Sequence, residues 1–321
     1  MLTSLFAGVL AMTIQGSEPA SLAAKPSAVT VGSGTDAIYG TALTPTHPRA
    51  AALIIAGSGP TDRNGNNPQG VGARPYELLS EALAKYGIAT LRYDKRGIAE
   101  SRGAAKREEE LRFETGVEDA RTFAALLKIE TRLPCVWLLG HSEGALVAQV
   151  AARDNKDVCG LVLMSGTGRP AAEILREQLT GPTVPEALRG PALAAVAELE
   201  AGRPVAAPPP ELANLFRPSV QPYLMSWFRY DPAKLLIAER RPVLIVQGTT
   251  DLQTTLADSK RLHDAKPNAK LLLVPGMNHV LKQAPADRAA NFATYAEPER
   301  PLAPGLVEKV AIFLTGARQT R

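Results

Sequence analysis

The sequence predicts an α/β protein with a mostly parallel central sheet flanked by helices and a helical cap inserted late in the chain. Three observations carry that expectation. Short apolar runs at 51–56, 88–93, 136–139, 159–164, 243–246 and 270–274 alternate with longer stretches of helical periodicity, as expected of strands buried on both faces. Gly140-His141-Ser142-Glu143-Gly144 lies between one such run and an alanine-rich apolar stretch at 145–152, which reads as strand, turn and helix. Residues 167–241 show no strand pattern and hold eleven of the chain's 26 prolines.

The composition fits that architecture. With 321 residues, 45% of them hydrophobic, the chain can bury a large core with an insertion. The division expected is a core at 27–166 and 242–321 and a cap at 167–241. A net charge of +4, without a basic stripe or a run of like charges, argues against nucleic acid as a partner. Residues 2–12 form an apolar run too short to span a bilayer, so no stable membrane insertion is expected. Small residues follow and end in Ala23-Ala24-Lys25, and together residues 1–26 resemble a secretory signal peptide. Export to the periplasm or the medium is therefore the expectation, with a disordered leader on a cytoplasmic protein as the alternative. Cys135 and Cys159 each open an apolar strand. They are expected as two buried thiols, because adjacent parallel strands rarely give good disulfide geometry.

Taken in order, residues 29–44 read as a hairpin at the sheet edge. The strand at 51–56 enters a loop rich in Gly and Asn, from Gly57 to Asn67, which suits neither helix nor strand. A helix is expected over 75–86, with Pro75 at its start, followed by a strand ending at Tyr93. The charged residues Asp94, Lys95 and Arg96 read as a structural network. A further helix is expected to begin near Thr115, where Thr115 and Glu118 have capping-box spacing. After the cap, the strands at 243–248 and 270–274 flank a helix over 255–265, and a last helix carries Val307, Val310, Ala311 and Leu314.

The strand–turn–helix around Ser142 points to nucleophilic chemistry. Such a turn strains the serine backbone, and glycines at 140 and 144 leave room for the neighbouring elements. Serine needs a base to take its proton, and the base needs a carboxylate to orient it. In this arrangement the acid and then the histidine follow the serine, each on a loop at the carboxyl end of a strand. Of four histidines, His47 precedes the core strands, His263 lies on a helix and His141 lies inside the turn, pointing away from the hydroxyl. Only His279 follows a late strand. Asp251 alone among the candidate acids follows a buried strand at once, whereas Asp154, Asp157, Asp231, Asp258 and Asp264 are in or beside helices or in the insertion. Elimination therefore leaves Ser142, Asp251 and His279.

These motifs resemble the α/β-hydrolase superfamily, specifically its serine carboxylesterases with a Gly-Ser-Gly-Pro-x-Asp-Arg oxyanion loop. Here that loop is Gly57-Ser58-Gly59-Pro60-Thr61-Asp62-Arg63. The stretches Arg92 to Gly97, Gly140 to Gly144, Gly248 to Asp251 and Gly276 to His279 match in order. The resemblance implies an oxyanion hole formed by the backbone N–H groups of Ser58 and Glu143, with no metal and no organic cofactor. Ala56 stands where a histidine often precedes the oxyanion glycine, which is expected to loosen the loop. Ala145 stands where the related prolyl peptidases have a second glycine, which lowers the peptidase reading.

The implied activity is hydrolysis of a small-molecule ester. Thioesterase and aminopeptidase remain alternatives that use the same groups, and a non-catalytic binding protein on this scaffold is a remote one. Ser142 argues against dehalogenase chemistry, which needs a carboxylate at that position. Leu215, Phe216, Tyr223, Leu224, Trp227 and Phe228 make the most aromatic part of the chain. They are expected either to line the substrate pocket or to form the cap's own core.

Overall fold

A computed structural model describes residues 24–105, 107–181 and 184–316. The strands are β1 (Lys25–Val31), β2 (Ile38–Thr44), β3 (Ala50–Ile55), β4 (Ile88–Tyr93), β5 (Val136–His141), β6 (Val158–Met164), β7 (Val243–Gly248) and β8 (Lys270–Val274). They form one sheet in the order β1-β2-β4-β3-β5-β6-β7-β8. β1 and β2 form the expected antiparallel hairpin, and β2 is also antiparallel to β4. All pairings among β3 to β8 are parallel. Most of the leader lies outside the described residues. Its expected end at residue 26 runs into the sheet, because β1 begins at Lys25.

The helices are α1 (Pro75–Ala84), α2 (Phe113–Thr131), α3 (Glu143–Ala152), α4 (Ala171–Leu179), α5 (Glu186–Glu200), α6 (Ala213–Phe216), α7 (Gln221–Trp227), α8 (Pro232–Ala238), α9 (Leu256–Ala265), α10 (Arg288–Ala293) and α11 (Leu306–Gly316). α4 to α8 fill the stretch between β6 and β7, where no strand pattern occurs. Alternation along each central strand divides the core in two. Ala51, Leu53 and Ile55 of β3 face α2 and α3, while Ala50, Ala52 and Ile54 face α1 and α11. Every residue of β3, β5, β6 and β7 is buried, which accounts for their continuous apolar runs.

Three expectations are corrected. β8 is not a buried strand but the sheet's edge: only Val274 is buried and Leu273 is 45% exposed, since among the described residues no strand pairs beyond it. α2 starts at Phe113, close to the expected Thr115, but its capping box pairs Arg112 with Thr115 and not Thr115 with Glu118, because Thr115 lies at the third helical position. Thr115 still serves the cap, its hydroxyl accepting the Arg112 N–H at 3.1 Å.

The third correction concerns the cysteines. Cys135 and Cys159 are joined as a disulfide, with Cα atoms 5.2 Å apart. The ladder shifts register between Val136 and Trp137, whose partners are Val158 and Gly160. Cys159 therefore falls at the irregularity, free of the side-by-side geometry that disfavours a bridge between parallel strands.

Candidate active site

Ser142 occupies the turn between β5 and α3 with φ 55° and ψ −121°, a conformation costly for a residue with a side chain. The crowding expected around it is severe. A Cβ on Gly140 would lie 2.1 Å from the Gly144 carbonyl oxygen, and one on Gly144 would lie 2.3 Å from that of Ile55. From Val136 to Ala152 every residue is buried except Ser142. The strained turn thus lifts one hydroxyl out of an otherwise closed core, at the amino end of α3, where negative charge is favoured.

Asp251 and His279 come together at the carboxyl ends of β7 and β8. His279 Nδ1 lies 2.9 Å from Asp251 Oδ2 and 3.1 Å from Oδ1. A carboxylate only accepts, so Nδ1 carries a proton, and in the neutral ring the lone pair is then on Nε2. The Asp251 carboxylate also accepts the N–H groups of Gln253 at 2.8 Å and Thr254 at 3.0 Å and the Thr254 hydroxyl at 2.9 Å. Burial opposes its charge, but the His279 ring and these donors hold its carboxyl well below the usual carboxylate range. The His279 ring centroid is 4.7 Å from that of His141, the neighbour of Ser142.

The other candidates are placed elsewhere. Asp258, in the first turn of α9, accepts the backbone N–H of the N-cap Thr255 and that of Gly168, and is paired with Arg169 at 3.0 Å. Asp231 caps α8, His47 is exposed and His263 lies on α9.

The loop after β3 is held more firmly than the substitution at Ala56 suggests. Lys95 Nζ donates to the carbonyls of Gly57 and Gly59 at 2.6 and 2.7 Å. Gly57 N–H donates to the Tyr76 hydroxyl at 3.2 Å. Asp94 accepts the Arg63 N–H at 2.7 Å and its guanidinium at 2.9 Å, while Asp62 accepts the N–H groups of Asn64 and Asn66. Asp94 and Lys95, read from the sequence as a structural network, are therefore the clamps of this loop. Among the described residues, the backbone N–H groups of Ser58 and Glu143 donate to no protein atom.

Sequence reasoning missed several supporting residues. Asn291 of α10 donates to the Thr250 carbonyl at 2.9 Å and accepts the Asn278 amide at 3.2 Å. It thereby ties the residue before Asp251 to the residue before His279. Its distance in sequence from both, on a short helix without a motif, left no signal. Tyr76 stands at an apolar, core-facing position of α1, yet its hydroxyl lies 2.7 Å from His141 Nδ1.

The six apolar residues of the insertion separate into two groups. Phe216, Leu224 and Phe228 are buried in an apolar cluster of the insertion, with Leu215 against it. They pack as that segment's own core. Trp227 borders both this cluster and the main core, and Tyr223 borders the main core. The Tyr223 hydroxyl hydrogen-bonds Glu143, the residue after Ser142. Burial raises the Glu143 carboxyl above its ordinary value, against the pull of Lys95 and Tyr223. Among the described residues no three His, Cys, Asp or Glu side chains are grouped to hold a metal ion.

A family model described as serine aminopeptidase, S33, matches residues 72–196. A curated relative, Esterase EstD of Thermotoga maritima, is 28% identical over 244 residues, covering 73% of this chain and 55% of that protein. The chain thus spans about half the length of that relative. Among solved structures, the esterase domain of a Rhodothermus marinus protein superposes with a TM-score of 0.55 at 18% identity, covering 92% of this chain and 98% of that one. Est1E from Butyrivibrio proteoclasticus gives 0.55 at 17% identity, covering 91% and 99%. A thermophilic esterase from Thermogutta terrifontis gives 0.55 at 18%, covering 91% and 99%. Together with the sheet order and its flanking helices, these likenesses show that the chain has the α/β-hydrolase fold.

Proposed function

We propose that the protein is a serine esterase that cleaves small carboxylic esters through an acyl-serine intermediate. One observation carries the reading: Ser142 alone escapes full burial between Val136 and Ala152, on a strained turn whose neighbouring residue His141 lies against the ring of His279, and His279 Nδ1 faces Asp251. In this reading Ser142 Oγ bonds to the ester carbonyl carbon while its proton passes to His279 Nε2. The carbonyl electron pair moves onto oxygen, where the Ser58 and Glu143 N–H groups meet it. Asp251 steadies the imidazolium. Collapse breaks the bond to the alcohol, which leaves with the proton from Nε2. Water repeats the sequence and releases the acid.

The esterase relative supports ester over amide substrates, as does Ala145 in place of a second elbow glycine. The family description favours one alternative, an aminopeptidase; a thioesterase would use the same groups. The helical insertion is read as a cap, with Tyr223 and Trp227 nearest the substrate. The Cys135–Cys159 bridge supports export, because disulfides persist in oxidising compartments.

Ser142→Ala tests the reading. It should lower kcat on p-nitrophenyl esters by about 10⁴-fold or more and abolish labelling by a fluorophosphonate, with the fold intact. Acyl-CoA and aminoacyl anilides assayed alongside separate the alternatives. Undiminished labelling of the variant would sink the assignment of the nucleophile, and a parent that never labels would favour a binding protein.

A further inference from the structure

Tyr76, on the first turn of α1, and His141, the residue before Ser142, take no part in the proposed chemistry. Both are buried beside it, with 2% and 5% exposure. They belong to one hydrogen-bonded chain. Gly57 N–H donates to the Tyr76 hydroxyl at 3.2 Å, the hydroxyl lies 2.7 Å from His141 Nδ1, and His141 Nε2 lies 2.8 Å from the backbone carbonyl oxygen of His279.

Proton positions follow from the chemistry. A carbonyl can only accept, so His141 Nε2 carries the N–H. In the neutral ring Nδ1 is then a lone pair and takes the Tyr76 proton, which leaves the phenol oxygen to accept from Gly57. Every donor in the chain meets an acceptor. A second proton on His141 would point Nδ1–H at the hydroxyl and leave the phenol proton without a partner.

We propose that Tyr76 and His141 are positioning residues that lock the loop after β3 to the loop after β8, across the turn that carries Ser142. The inference rests on the serine-esterase reading, in which those loops supply an oxyanion amide and the base. His141 then acts only as the neutral Nε2–H tautomer. Its titratable neighbours are Tyr76, His279 and Asp251. Burial, with His279 acting in the same direction, pushes the His141 ring down to about 3, and burial raises the Tyr76 phenol. The relay therefore keeps one proton arrangement throughout the range where an ester hydrolase is assayed.

Little in the sequence signals this relay. His141 looked irrelevant because its side chain turns away from the Ser142 hydroxyl, and that direction is what brings it to the carbonyl of His279.

Tyr76→Phe removes one hydroxyl from the middle of the relay and keeps the ring. It should lower kcat on p-nitrophenyl acetate by about 10- to 100-fold while KM stays within about twofold. His141→Gln, which retains a donor for the His279 carbonyl, should keep more kcat than His141→Leu at a comparable melting temperature. Ring ¹⁵N spectra of the parent should show a protonated Nε2 and a bare Nδ1 at His141, without titration between about pH 5 and 8. Parent-like kcat in Tyr76→Phe, a kcat loss in the His141 variants that merely tracks their melting temperatures, or a His141 ring that takes a proton in that range each overturns the proposal. Ser142→Ala separates the two levels of inference. If it is inactive while Tyr76→Phe matches the parent, the relay fails and the esterase reading stands. If it stays active, that reading fails and takes the relay's role with it.

Discussion

Ser142, Asp251 and His279 stand where parallel strands end, whereas the insertion between β6 and β7 keeps most of its large side chains for its own core. In the sheet, backbone ladders set the position of each strand end, so a residue just beyond a strand has little freedom of placement. The insertion has no such ladder. Its helices α6, α7 and α8 have only 4, 7 and 7 residues, too short to hold themselves, and their placement depends on what they touch. α7 and the turn after it touch the amino end of α2. The Ser226 hydroxyl accepts the Phe113 N–H at 2.8 Å, and the Tyr230 hydroxyl donates to Glu114 at 2.8 Å. The candidate triad is thus placed where geometry is set by backbone, and the insertion reaches the turn of Ser142 through the Tyr223 hydroxyl on Glu143.

The largest loss is expected on the sheet side. Asp251→Asn should reduce kcat by about 10³- to 10⁴-fold, because the amide no longer holds His279 in the Nδ1–H tautomer. Steady-state kinetics with a melting curve would check it; near-parental activity would move the acid elsewhere.

Next comes the insertion's core. Phe216 is fully buried there, so Phe216→Ala should cost about 3–5 kcal/mol of stability while the preference for acyl chain length stays as in the parent. A shifted acyl profile at unchanged stability would instead make this residue part of the substrate pocket.

Acid should act on the sheet side. His141 titrates from 6.5 down to about 3 on folding, so between those values the unfolded chain binds a proton that the folded chain does not. Its contribution is complete above about pH 6.5 and is lost as pH falls toward 3. Asp251, also lowered, adds a loss only below its unfolded value of 3.8. Melting temperatures of the parent and His141→Gln, measured from pH 7 down to 4, should show the steeper fall in the parent. Parallel curves would contradict this.

The smallest effect is expected at the hydrogen bond from Tyr223 of the insertion to Glu143, the residue after Ser142. Tyr223→Phe should cost about 1 kcal/mol of stability and change kcat several-fold at most. A loss comparable to that of Asp251→Asn would place the insertion within the chemistry itself.

Much of the fold and the candidate site was legible in the sequence because the parallel sheet imposes local patterns. Strands buried on both faces must be apolar throughout. A strand that turns directly into a helix needs glycines where backbones touch, as at 140 and 144. With four histidines, position after a late strand was enough to select His279. What required the tertiary structure was every relation between segments far apart in the chain. The register shift beside Val136 let Cys135 and Cys159 bond, the absence of a ninth strand left β8 exposed among the described residues, and Lys95 was directed onto the Gly57 and Gly59 carbonyls. The same holds for Tyr76, Asn291 and Tyr223. Each makes its contact through one polar group at the end of an ordinary side chain. Periodicity records which face of an element is buried, but not which distant atom that group will meet.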